Sequence, residues 1–123
     1  MEVKTARKVE KPWGHEEIFA ETAQYVGKIL FIRQGEALSL QYHEVKEETL
    51  RVLDGELELV TGIDVDQLQS QVIGPETVFH VPPGTLHRMV AVTDCRLLEV
   101  STTELDDVVR IEDRYGRKGT NAP

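Results

Sequence analysis

Turn-forming residues punctuate this sequence too often for long helices to fit between them. Gly35, Asp54-Gly55, Gly74-Pro75 and Pro82-Pro83-Gly84 separate short runs rich in β-branched, leucine and aromatic side chains, the pattern of strands joined by tight connections. The runs fall at 16–20, 25–33, 37–43, 49–54, 77–81, 87–92 and 96–101. Glu56-Leu57-Glu58-Leu59 alternates strictly, as a half-buried strand does. Asp54-Gly55 before it suits a two-residue hairpin turn, because both residues accept positive φ. Residues 62–71 are polar and read as a hairpin loop, and residues 1–12 as an arm or edge strand. Helical periodicity is weak everywhere except 105–115, which reads as a short helix or an extended segment. So many short strands at even spacing predict an all-β sandwich or barrel. A single domain spans 1–123, with its core at about 13–102, an N-terminal arm at 1–12 and a C-terminal tail at 103–123.

Charge removes several partners. The chain has 14 Lys+Arg against 22 Asp+Glu, a formal charge of −8, which argues against nucleic acid and against an anionic membrane surface. No stretch approaches the roughly 18 uninterrupted apolar residues of a spanning helix. The start, Met1 to Arg7, is polar and does not lead into a signal-peptide run. The single Cys95 allows no internal disulfide, and its place in the turn Thr93-Asp94-Cys95 suits a structural role. The expectation is a soluble, reduced, cytoplasmic protein.

Four residues carry a chemical signal. Gln41 and His43 are two apart, so on a strand they share a face. Glu48 stands at the start of the next strand, and His87 follows the rigid Pro82-Pro83-Gly84 turn. Separately, each reads as an ordinary surface or core residue, and Glu48 as part of the acidic cluster with Glu44 and Glu47. An antiparallel barrel that brings the two hairpins together would offer two imidazole nitrogens, a carboxylate oxygen and an amide oxygen. That set suits one divalent transition metal: zinc, manganese, iron or nickel. With no cysteine in the set, it is not a structural thiolate cage.

The stretch from Gly35 through Gln41-Tyr42-His43 and Glu48 to Gly55 resembles the first motif of the cupins. Pro82-Pro83-Gly84-Thr85-Leu86-His87 resembles their second. The resemblance implies a small jelly-roll, or double-stranded β-helix, barrel with Gln41, His43, Glu48 and His87 as metal ligands. It also implies a homodimer built through edge strands near the N-terminus. Where the cupin pattern has a Gly six residues before Pro82, this chain has Glu76, and where it has Asn after the last ligand, this chain has Ala91. Gln41 stands in place of the usual first histidine and is similar to the phosphomannose isomerase branch. Lys11-Pro12-Trp13-Gly14 with Glu17, Leu38 to His43, Leu98-Glu99-Val100 and the tail Asp106 to Arg117 resemble the isomerase domain of type II phosphomannose isomerases. The His- and Arg-rich run that this family carries after His43 is Glu44-Val45-Lys46-Glu47 here. Without the upstream transferase domain of its bifunctional members, guanylyl transfer is not expected.

The implied function is metal-dependent aldose–ketose isomerisation of a phosphorylated sugar, of the mannose 6-phosphate to fructose 6-phosphate type. His80, Glu99 and Lys46 are the candidates for the general base. Parity puts His80 on one face with Val78, but does not say which face is inward. Arg114 and Arg117 are the candidates for the substrate phosphate. Arg88 is a weaker one, because alternation from His87 aims it away from the interior. A metal-dependent oxygenase and a non-catalytic sugar- or metabolite-binding cupin are the alternatives.

Overall fold

The computed structural model of the chain describes residues 1–123 and builds them from strands and turns, without a helix. The strands are β1 (Arg7–Lys11), β2 (Gly14–Glu21), β3 (Val26–Ile32), β4 (Leu40–Tyr42), β5 (Glu48–Asp54), β6 (Leu57–Gly62), β7 (Gln69–Ile73), β8 (Val78–Val81), β9 (Leu86–Ala91), β10 (Cys95–Ser101) and β11 (Val109–Glu112). They form two antiparallel sheets with the orders β1-β2-β3-β10-β5-β8 and β11-β4-β9-β6-β7. The sheets face each other as a jelly roll, the all-β architecture the sequence predicts. No helix is long and apolar enough to cross a membrane.

Period-two alternation sets the interior. In β10, Cys95, Leu97 and Glu99 are buried while Arg96 and Val100 are exposed. The apolar core gathers Ile32, Leu50, Val52, Leu57, Leu59, Val81, Ala91, Cys95 and Leu97 from both sheets. It ends at Trp13, Leu30, Leu38 and Met89, beyond which the interior becomes a polar cavity. Cys95 is fully buried, and burial pushes its thiol up to about 11, so it is an inert packing residue.

Four local expectations change. Residues 62–71 are not all loop: β7 begins at Gln69 and pairs with β6, but its residues are largely exposed and carry no apolar alternation. The run at 37–43 is a strand only over Leu40–Tyr42, with Ala37 bridging separately to Val90. Asp54 stays within β5, and the turn at Gly55, at φ 87°, makes no hairpin: β5 and β6 lie in different sheets and do not pair, so it carries the chain from one sheet to the other. The tail is extended: β11 pairs with β4, turning Arg110 inward.

Candidate metal centre

Both sheets contribute to one buried acidic and imidazole cluster. His43 directly follows β4, Glu48 opens β5 and His87 lies in β9. Their exposures are 5%, 4% and 1%, and one ligand atom from each lies within 4.8 Å of the others. The Nδ1–H of His43 donates to the Asp107 carbonyl at 2.6 Å, and that of His87 to the Thr85 carbonyl at 2.9 Å. A carbonyl only accepts, so in the neutral rings these bonds fix the tautomer and leave the lone pair on each Nε2. Those Nε2 atoms lie 3.4 and 3.3 Å from Glu48 Oε1, yet neither has a hydrogen-bond partner. Two orphaned lone pairs converging on a carboxylate leave the space between them wanting a cation. The donor set fits a divalent transition ion, and the two carbonyls orient the rings as outer-shell partners of metal-bound histidines do.

The loop between His43 and Glu48 is held from the tail. The Asp107 carboxylate accepts the backbone N–H groups of Glu44 (3.0 Å), Val45 (2.7 Å) and Lys46 (2.8 Å). Burial pushes this carboxyl up, but the three amides prevail and hold it below its ordinary range. Gly84 N–H donates to the His43 carbonyl at 2.8 Å, tying the loop to the turn before His87.

Beside the cluster runs a buried line of alternating charge. Lys46 Nζ lies 3.1 Å from Glu48 Oε2 and 3.3 Å from Glu99 Oε2. Lys28 Nζ is 3.9 Å from Glu99 and 3.3 Å from Glu16, and Lys11 Nζ is 4.0 Å from Glu16. Burial penalises the Glu48 charge, but the Lys46 ammonium beside it opposes that penalty, and the carboxyl is held well below its usual range. Burial and the Glu48 charge raise Glu99 despite Lys46 and Lys28. Burial opposes the Lys46 charge too, but Glu99 and Glu48 raise it further.

The structure brings together Gln41, His43, Glu48, Lys46, Glu99 and Arg117, all of which line a cavity of about 80 Å³. His87 stands in register with Gln41 across β4 and β9. Three other candidates lie elsewhere. His80 is on the outer face, its side chain 52% exposed and its Nε2 2.5 Å from Glu47; Val81, not His80, is the buried residue of that strand end. Arg88 points away from the cavity, donating to the Leu38 and Glu112 carbonyls and pairing with the Glu112 carboxylate. Arg114 is exposed and donates to the Gly35 carbonyl at 2.6 Å. Arg117 is buried and forked onto Asp113 through Nε and Nη2, each at 2.9 Å.

Sequence reasoning passed over Asp107, Lys28, Glu16, Lys11 and above all Arg110. Arg110 is 8% exposed and lines the cavity; its Nη1 donates to the Thr120 carbonyl at 3.1 Å, while its Nε has no partner. Burial, reinforced by Arg117 and opposed by Asp113, lowers its pKa. The available signal was Val109-Arg110-Ile111, whose alternation turns the single charged residue inward. A second cavity of about 220 Å³ adjoins the first, sharing Lys11, Glu16, Lys28, Leu105, Val108 and Arg110, and adding Arg7.

A family model described as mannose-6-phosphate isomerase C-terminal matches residues 1–113. Mannose-1-phosphate guanylyltransferase ManC of Salmonella typhimurium is 32% identical over 116 residues, covering 90% of this chain and 23% of the relative. Xanthan biosynthesis protein XanB of Xanthomonas campestris is 30% identical, covering 90% and 24%. The chain thus spans about a quarter of the length of these relatives. Among solved structures, the capsular polysaccharide assembling protein CapF from Staphylococcus aureus superposes with a TM-score of 0.78 at 16% identity, covering 90% of this chain and 33% of that one. KdgF from Halomonas gives 0.66 at 16%, covering 79% and 87%. These neighbours share the cupin jelly roll, and at such identities the likeness speaks for the fold alone.

Proposed function

The chain belongs to the mannose-6-phosphate isomerase C-terminal family, and on that premise we propose that it is a metal-dependent aldose–ketose isomerase acting on a phosphorylated sugar. The observation that carries this reading is the pair of orphaned Nε2 atoms facing Glu48. His43, Glu48 and His87 would hold the ion, with the Gln41 amide beside them. A divalent ion there would supply Lewis-acid stabilisation of the oxyanion that develops on the sugar oxygens.

Isomerisation moves a proton between adjacent carbons through an enediol. Glu99 and Glu16 are the carboxylates lining the cavity that are neither candidate ligands nor spent on backbone amides, and Glu99, which shares Lys46 with Glu48, is the base of this reading. Lys46 stands between Glu48 and Glu99, keeping two buried acids from facing each other directly and offering a proton donor to substrate oxygen. In this reading the inner cavity of about 80 Å³ takes the reacting end of the sugar, with its phosphate toward the adjoining cavity of about 220 Å³. Arg110, with its free Nε, and Lys11 stand where the two cavities join, positioned for that phosphate. Arg117 supports them, fixed by Asp113.

The test is a coupled assay of mannose 6-phosphate conversion to fructose 6-phosphate by protein reloaded separately with zinc, manganese, iron and nickel. Turnover should vanish with chelator and in His87→Ala. Glu99→Gln should lose at least about a hundredfold in rate while still binding metal. Absence of conversion with every metal overturns the reading. Tight sugar-phosphate binding without conversion would assign a binding role instead.

A further inference from the structure

The last residues of the chain fold back onto Arg110, and hydrogen bonds rather than packing hold them there. Residues 118–123 are exposed, and Gly116 and Gly119, at φ 77° and 75°, reverse the chain. Nothing lies within 4 Å of where a side chain at either glycine would begin, so backbone conformation alone calls for them. The Arg117 carbonyl accepts the Thr120 N–H at 2.9 Å and the Thr120 hydroxyl at 2.8 Å. The same hydroxyl oxygen accepts the Ala122 N–H at 3.3 Å. Gly119 N–H donates to the Arg110 carbonyl at 3.2 Å, and Arg110 Nη1 donates to the Thr120 carbonyl at 3.1 Å. Arg117 Nη1 completes the clasp by donating to the Pro123 carbonyl at 3.0 Å. Asn121 and Pro123 then form part of the wall of the outer cavity.

We infer that Thr120 is a positioning residue for the substrate: it holds the Arg110 guanidinium by Nη1, so that the edge carrying Nε is kept for the phosphate. The role rests on the phosphate assignment of the functional reading. The two buried arginines of the tail are anchored in different ways. Arg117 commits Nε and Nη2 to the Asp113 carboxylate, which neutralises it. Arg110 has its Nη1 on a backbone carbonyl, and its buried Nε has no partner. A neutral carbonyl fixes a guanidinium without cancelling its charge. Because a guanidinium is planar, an anchor at Nη1 also fixes the direction of the opposite edge, which offers the paired donors that a phosphate takes. The place of that edge matters for the chemistry. Arg110 is in register with Gln41, and Gln41 with His87, so strand spacing sets the Arg110 and His87 backbones about 10 Å apart. Thr120 thus helps to fix how far the phosphate sits from the metal centre.

The test begins with the full chain in chelator, so that the anion meets no metal. Calorimetric titration with inorganic phosphate should show binding that Arg110→Gln removes. Thr120→Val should weaken it about fivefold, the effect of roughly one hydrogen bond. Thr120→Ser keeps the hydroxyl and should bind as the wild type does. Gly119→Pro cannot adopt φ 75° and lacks the N–H given to Arg110, so it should weaken binding at least as much as Thr120→Val. Both sites are exposed, so circular dichroism should be unchanged. In metal-loaded enzyme, Thr120→Val should raise KM for mannose 6-phosphate by the same factor and leave kcat unchanged, a split that general loss of structure does not give. Phosphate binding indifferent to both Thr120→Val and Gly119→Pro overturns the inference. So does binding that survives Arg110→Gln, or no phosphate binding by the wild type. Phosphate binding that follows Thr120, in a chain that converts no mannose 6-phosphate, would sustain the inference and overturn the isomerase reading alone.

Discussion

Asp107 does two jobs with one residue: its carbonyl fixes the His43 tautomer and its carboxylate gathers three amides of the ligand loop. Because its folded pKa is depressed, the stability it contributes is fully present above the unfolded value near 3.9. That contribution is lost as pH falls through the folded value. Asp107→Asn should cost about 1–3 kcal/mol at neutral pH. In thermal melts with chelator present, it should also flatten the loss of stability between about pH 5 and pH 2. An unchanged acid limb would contradict this role. Glu76 makes the opposite case, a residue working against its backbone. It sits at φ 73°, in the left-handed region that disfavours a side chain, and it occupies the position where the cupin pattern has glycine. Glu76→Gly should remove a strain of about 1–2 kcal/mol against a chain-entropy cost of about 0.5–1 kcal/mol. A net gain of about 0.5–1 kcal/mol should appear in urea unfolding. That His43, Glu48 and His87 come together is legible from their residue types and spacing. Arg110 is not, because one arginine among many is silent until the strand that turns it inward is known.

At the scale of elements, legibility followed burial. Strands β3, β5, β9 and β10 read cleanly because each alternates or runs apolar against the core. The edge strand β7 reads as loop in the sequence because pairing with β6 alone, and not packing, holds it. The tail could not be decided between helix and strand because β11 is only Val109–Glu112, about one helical turn in length. The β5–β6 connection shows how narrowly a turn is specified. A side chain at Gly55 would meet the Asp94 carbonyl at 2.1 Å, on a backbone already at φ 87°. Gly55→Ala should therefore destabilise by at least about 2 kcal/mol, measured by chemical denaturation. A loss within about 0.5 kcal/mol would contradict this account of the turn.

Over the whole molecule, the site exists only because two sheets close on each other. Glu48, Glu99, Lys28 and Glu16 belong to one sheet, while Gln41, His87 and Arg110 belong to the other. No segment holds the cluster alone, so ion binding should add to folding stability, by about 2.7 kcal/mol at a hundredfold excess over Kd. The fold is readable from turns and alternation, and the His43–Glu48–His87 cluster from spacing within it. The charge line from Glu48 to Lys11 is not readable, since beyond the Lys46–Glu48 step it is written across β10, β3, β2 and β1 rather than along the chain. The most direct measurement is a titration of metal-free protein with manganese, counting bound ions by electron paramagnetic resonance. One ion per chain, lost in His43→Ala and His87→Ala while both variants remain folded, is the predicted result. No binding by the folded wild-type chain, or binding that survives both substitutions, would contradict the metal centre on which the functional reading stands.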